Sequence, residues 1–243
     1  MARKIVLVSG KGGTGKSSVT AGLSYALADM GYRVLAVDCD VGLRSLDIIF
    51  NTGSETVFDW GDIIDGSCDP EKALSKTNSV SVLSAPMKFS DGFTKEEVKK
   101  MIDLFDRDFD FILSDAPAGI NEGFSLACSM AEEALVVSTP DKVCVRSAGA
   151  AADLLLSEGI EFENSRLIIN RFNRKATEYR RLLNIDDTID SCGVRLIGIV
   201  PEDANITYCF SNGKELPKRS GARGAFSRIA RRVAGEKIPL IIK

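Results

Sequence analysis

Gly10-Lys11-Gly12-Gly13-Thr14-Gly15-Lys16-Ser17 stands between the apolar run Ile5-Val6-Leu7-Val8 and a helical pattern that opens at Ser17-Ser18-Val19. Strand, glycine loop, helix is the context of a phosphate-binding loop. Where there is no Cβ, consecutive backbone N–H groups can curl around an anion, and the new helix adds the positive end of its dipole. In that pattern Lys16 supplies a mobile cation for the outer phosphates and Ser17 offers a hydroxyl to Mg²⁺. Gly10, Gly12 and Gly15 also spell a dinucleotide fingerprint, with Asp38 at the end of the next apolar run as its ribose acid. Lys16-Ser17, however, completes a triphosphate pattern that a dinucleotide site does not need. A later strand ending in Asp115 also suits a metal-bound triphosphate.

A chain of 243 residues can form one α/β domain, spanning 1–243, with an ample core. Charged residues make up 27% and apolar ones 44%, ordinary for a globular protein. A net charge of −3 gives no global attraction to nucleic acid or lipid, so any such contact has to be local. The four-residue apolar run near the start is too short for a signal-peptide core, and no apolar segment nears the roughly 18 residues of a membrane span. Six cysteines are scattered without C-x-x-C or C-x-C spacing, which reads as reduced thiols in a cytoplasmic protein. There is no histidine, so imidazole chemistry is excluded.

Seven apolar runs recur: Ile5–Val8, Val34–Val37, Val80–Leu83, Phe111–Leu113, Ala134–Val137, Leu167–Ile169 and Leu196–Val200. Most are continuous rather than alternating, as in strands covered on both faces of a parallel sheet. The expected architecture is therefore a single-domain α/β fold, a mostly parallel twisted sheet of seven to eight strands flanked by helices on both faces. Helices are expected over Ser17–Met30 with Gly31 beyond its end, after a Thr94/Glu97 capping box, over Ala148–Leu156, and over Ala222–Val233. The last helix sets Arg223, Arg228, Arg231 and Arg232 opposite its apolar face, and Arg171, Arg174, Lys175, Arg180 and Arg181 form a second basic group. Both read first as solvated faces, with contact to DNA or anionic lipid as the alternative.

Asp38-Cys39-Asp40 places two carboxylates two residues apart as a strand leaves the sheet, and continued extension would point both toward the phosphates. Asp110 to Asp115 forms another acid-ended strand, followed by Ala116-Pro117-Ala118-Gly119. One carboxylate near Mg²⁺ and another near an attacking water suit triphosphate hydrolysis, which asks for positioning and charge neutralisation more than for a strong base.

With Lys11 early in the loop, Asp38-x-Asp40-x-Gly42-Leu43, Asp115-x-Pro117-Ala118-Gly119, Ile199-Val200-Pro201-Glu202-Asp203 and Gly235-Glu236-Lys237-x-Pro239-Leu240, the sequence resembles the MinD/ParA family of deviant-Walker ATPases. The resemblance covers almost the whole chain and is closest to the MinD branch. It implies a P-loop NTPase fold and ATP with Mg²⁺ as cofactors. Lys11, Lys16 and Asp40 would be the catalytic residues, and Gly10, Lys11, Gly12, Gly13, Thr14, Gly15, Lys16, Ser17 and Ser18 would cradle the phosphates. Asn170 and Arg171, with Pro201, Glu202 and Asp203, would frame the adenine; Ser17, Asp38, Asp40 and Asp115 would surround the metal. Lys11 would cross an interface to the ATP of a second copy, so the resemblance implies an ATP-dependent homodimer.

The resemblance further implies a role in division-site placement, a protein partner of the division-inhibitor or activator type, and a cytoplasmic address extending to the inner face of the membrane. Two stretches depart from the MinD pattern. The chain stops at Pro239-Leu240-Ile241-Ile242-Lys243, where MinD proteins continue into an amphipathic membrane helix, and Ser147-Ala148-Gly149-Ala150 replaces acidic residues that meet partners. A ParA-like partitioning or polar and flagellar positioning ATPase is the alternative, supported by the basic Ala222–Val233 face. A metallochaperone or iron–sulfur assembly role is opposed by the unclustered cysteines.

Overall fold

The computed structural model describes residues 1–54, 56–77, 79–88, 92–179 and 181–240, so Arg180 and the stretch 241–243 lie outside the described residues. Eight strands form one sheet: β1 (Arg3–Val8), β2 (Val34–Asp38), β3 (Leu74–Lys76), β4 (Ser81–Leu83), β5 (Phe111–Asp115), β6 (Glu133–Ser138), β7 (Ser165–Phe172) and β8 (Leu196–Pro201). Their order is β3-β4-β2-β5-β1-β6-β7-β8, and every pair is parallel except β3 with β4. The helices are α1 (Lys16–Asp29), α2 (Ser45–Phe50), α3 (Trp60–Ile64), α4 (Lys95–Asp103), α5 (Glu122–Ser129), α6 (Lys142–Ser157), α7 (Arg174–Glu178), α8 (Ile185–Cys192), α9 (Ala204–Phe210) and α10 (Gly221–Val233).

Strand periodicity divides the core into two layers. On β1, Ile5 and Leu7 face one side with Leu23 and Leu27 of α1 and Phe226 and Ile229 of α10. Val6 and Val8 face the other, with Ile102 of α4, Phe124 of α5 and Ala148 of α6. The chain leaves β1 toward β2 and later crosses back past it to β6, so β1 lies at the point where the strand order reverses. In such sheets ligands bind outside the carboxyl ends of the strands at that point.

All seven apolar runs fall in strands, Val80 alone preceding its strand by one residue. The eighth strand, β3, is an unforeseen three-residue edge that pairs antiparallel with β4. Leu74-Ser75-Lys76 is too short to show alternation. Thr94 and Glu97 form the expected capping box, and Gly31 follows α1 in a left-handed conformation at φ 91°. Helix α6 begins six residues before the expected start because Asp141 accepts from Cys144 N and caps it. On α10, Arg223 pairs with Asp29, Arg231 with Glu236, and Arg232 donates to the carbonyls of Ile197, Ile238 and Pro239. Three of its four arginines are thus engaged within the chain, which favours a solvated structural helix. All six cysteines are free, and among the described residues no group of His, Cys, Asp and Glu has the clustering of a metal site. No described helix is long and apolar enough to cross a membrane.

Candidate nucleotide site

The glycine loop joins β1 to α1 at the reversal point and lines a cleft of about 540 Å³. Gly15 is the N-cap of α1 at φ 84°, and a Cβ there would meet Asn170 Nδ2 at 2.4 Å, so both conformation and space demand glycine. Asn170 Nδ2 donates to Thr14 O at 2.8 Å and braces the loop from β7. At the other end, Gly10 is pressed against α6: a Cβ there would lie 1.8 Å from Ser147 O. Among the described residues, no protein acceptor is found for the N–H groups of Gly12 through Ser17. They form a concave row of donors at a helix start, the arrangement that receives a phosphate.

Lys16 lies inside the loop, 7% exposed, with Nζ 2.8 Å from Asp115 Oδ1 at the end of β5. Thr20, one turn further along α1, donates to the same oxygen at 3.0 Å. Asp115 Oδ2 is buried and has no hydrogen-bond partner. An unsatisfied buried carboxylate oxygen is costly, and a divalent cation or its water shell would satisfy this one. With Ser17 on the cleft wall, the residues fit a magnesium-bound triphosphate.

Asp38 and Asp40 differ in exposure: Asp38 is fully buried and Asp40 lines the cleft. Strand β2 ends at Asp38, whose side chain is fully buried below the cleft. Its Oδ1 accepts from Asp40 N and its Oδ2 from Leu46 N, both at 2.9 Å, so the carboxylate clamps both ends of the loop that follows. Each oxygen thus has one backbone donor, and the carboxylate also lies within electrostatic reach of Asp115 and Lys16. Asp40 lies on the cleft wall. Burial, then the Asp115 charge, pushes the Asp38 carboxyl up to about 7 despite its two N–H donors. Partial burial also raises Asp40, against the pull of Lys16.

The Asp38 shift carries a pH signature. Between the ordinary aspartate value of about 4 and about 7, the folded protein holds a proton that the unfolded chain has released. This group's stabilisation is therefore full below that window and is lost as pH rises through it. In urea unfolding without nucleotide, the stability of the native protein minus that of Asp38→Asn is expected to fall between pH 5 and pH 7.5. A difference that stays constant would mean that Asp38 ionises normally.

Lys11 is exposed on the rim, its carbonyl held by Ser9 Oγ at 3.1 Å. Arg171 lines the cleft from a bulge in β7, in a left-handed conformation at φ 52°. Pro201 ends β8, and the two acids that follow it in the expected adenine frame are fixed by neighbouring groups. Asp203 caps α9 through Asn205 N and accepts from Ser220 Oγ and Ala222 N, while Glu202 accepts from Asn173 Nδ2. The facing wall is Ile206, Thr207 and Phe210 of α9, with Ser211. Asp203 ahead of Asn205 is a capping signal that could have located that helix.

A glycine loop at the strand reversal, a lysine held by an acid at the end of a neighbouring strand, and a helix start lined with free donors define a P-loop nucleotide-binding protein. Residues 5–216 match the CobQ/CobB/MinD/ParA nucleotide binding domain. The septum site-determining protein MinD of Bacillus subtilis is 34% identical, over 99% of this chain and 92% of its own length. That of Synechocystis is 36% identical, again over 99% and 92%. The structure of the MinC:MinD cell division protein complex of Aquifex aeolicus matches with a TM-score of 0.91 at 35% identity, covering 99% of both chains. MinD of Pyrococcus horikoshii complexed with Mg-ADP matches with a TM-score of 0.83 at 29% identity, covering 96% of both. The chain belongs to the MinD/ParA family of nucleotide-binding ATPases, in its MinD branch.

Proposed function

We propose that this protein is an ATP-hydrolysing dimerisation switch acting in division-site placement, the role for which its septum site-determining relatives are named. The observation that carries the reading is the division of labour between the two loop lysines. Lys16 is buried on Asp115 within its own site, whereas Lys11 is exposed on the rim. Beside it, Leu43 and Ile48 line the cleft with exposed apolar side chains. Exposed apolar groups at a charged cleft favour burial against another protein surface, here a second copy whose Lys11 reaches across.

Within each site, Lys16 and the loop N–H groups hold the phosphates, Ser17 and Asp115 hold Mg²⁺, and Asp40 orients the attacking water. The ion supplies neutralisation of the charge on the transferring phosphoryl group. The protein partner is of the division-inhibitor type, by analogy with the Aquifex MinC:MinD assembly, and the site of action is cytoplasmic.

Light scattering with Mg-ATP and with Mg-ADP tests the reading, using Asp40→Ala beside the native chain. The variant is expected to bind ATP and accumulate as a dimer, while turnover falls about 10²-fold or more because the water is no longer placed. A monomer in every nucleotide state, or native turnover in Asp40→Ala, would overturn it.

A further inference from the structure

Asp40 lies in the short connection between β2 and α2, and its carboxylate makes no hydrogen bond or ion pair among the described residues. The upstream end is held by Asp38 through Asp40 N. The downstream end is held by Arg44, at φ 46° and ψ 50°, a conformation that residues other than glycine rarely adopt. The N–H groups of Leu43 and Arg44 both reach back to Asp40 O. Away from the cleft, Arg44 Nε donates to Ala85 O at 2.5 Å and Nη2 to Asp59 Oδ2 at 2.7 Å. The two side chains are only 18% and 16% exposed. The other oxygen of Asp59 caps α3 by accepting from Gly61 N and Asp62 N. Gly42 N adds a bond to Pro86 O at 3.0 Å.

Neither Arg44 nor Asp59 is among the residues that line the cleft. We propose that the Arg44–Asp59 pair is a positioning device: it bolts the Asp40 connection to α3 and to the segment after β4, setting where Asp40 presents its carboxylate to the water. This rests on the role given to Asp40 above. A planar guanidinium suits the task because it can serve a carbonyl and a carboxylate at once, which an ammonium at the same position cannot. The geometry therefore assigns Arg44 and Asp59 to turnover and leaves nucleotide affinity to the glycine loop.

The test separates these quantities. Asp59→Asn retains an oxygen that caps α3, since asparagine is as good an N-cap as aspartate, but removes the charge opposite Arg44. Arg44→Met retains the apolar stem and removes both outward bonds. At saturating ATP and protein concentration, each is expected to lower kcat about tenfold through misplacement of the water. Mg-ADP affinity should stay within about twofold, because the phosphate cradle is untouched. The double variant should be no slower than the slower single one, as for two residues that act as a unit.

Native kcat in both single variants beside an inactive Asp40→Ala would overturn the positioning role. So would effects that multiply in the double variant, or a fall in Mg-ADP affinity as large as the fall in kcat. An Asp40→Ala protein with native turnover would instead sink the role of Asp40 itself.

Discussion

Lys11→Ala is expected to bind Mg-ATP as the native protein does, to elute as a monomer in its presence, and to hydrolyse it at least about 10²-fold more slowly, the scale of a charge supplied in trans at a phosphoryl-transfer site. The separation follows from what each lysine touches. Lys16 is inside the loop on Asp115, so its loss would remove the cation that meets the phosphates and weaken binding itself. Lys11 makes no side-chain hydrogen bond or ion pair among the described residues, and only its backbone carbonyl is engaged, by Ser9. Truncating it therefore breaks no side-chain bond within the described residues of the isolated chain. In the proposed dimer it would remove one ammonium from each site, where exclusion of water makes that charge count for more. Gel filtration with ATP and a phosphate-release assay check both halves. A normal dimer peak for Lys11→Ala would defeat the exchange of lysines.

Gly10→Ala is expected to be the more damaging of two glycine substitutions only three residues apart. At Gly10 the added methyl would lie 1.8 Å from Ser147 O and 2.2 Å from Ser147 C, atoms in the backbone of α6. A carbonyl within a helix is held by its own ladder and cannot swing aside, so the loop or the whole helix has to shift by more than an ångström. A loss of about 2–3 kcal/mol in urea unfolding is the scale of overpacking at such a contact. Mg-ADP affinity should fall with it, since the displaced segment is the start of the cradle. Gly13→Ala makes the contrast: nothing lies within 4 Å of its Cβ, but its φ is 83°, so the cost is backbone strain of about 1–2 kcal/mol. If Gly13→Ala proved the more destabilising, the contact between α6 and the loop would be looser than described here.

The phosphate loop, the parallel sheet and the acid at Asp115 were legible because each rests on local chemistry: glycines at fixed spacing, continuous apolar runs, and a carboxylate at a strand end. The backbone bonds of Asp38 were not legible: β2 ends at Asp38 and the chain turns at once, so its carboxylate meets the N–H groups of the loop that follows. The wall of α9 was missed because its start signal, Asp203 two residues before Asn205, opens a helix of only seven residues. Ser147 could not be found from local pattern at all. Its part in the site is a backbone carbonyl brought from 137 residues away in the chain, and it leaves no trace except that position 10 is glycine.

Trp60 is the single tryptophan of the chain. It is 2% exposed, its ring centroid lies 4.8 Å from that of Phe93, and its Nε1 donates to Asp38 O at 3.0 Å. The indole dipole is thus bonded to the end of β2, two residues before Asp40, within a shell that solvent does not enter. A built-in fluorophore sits beneath the connection that lines the cleft, and its emission can report nucleotide addition in the unlabelled protein without a reporter that would crowd the rim.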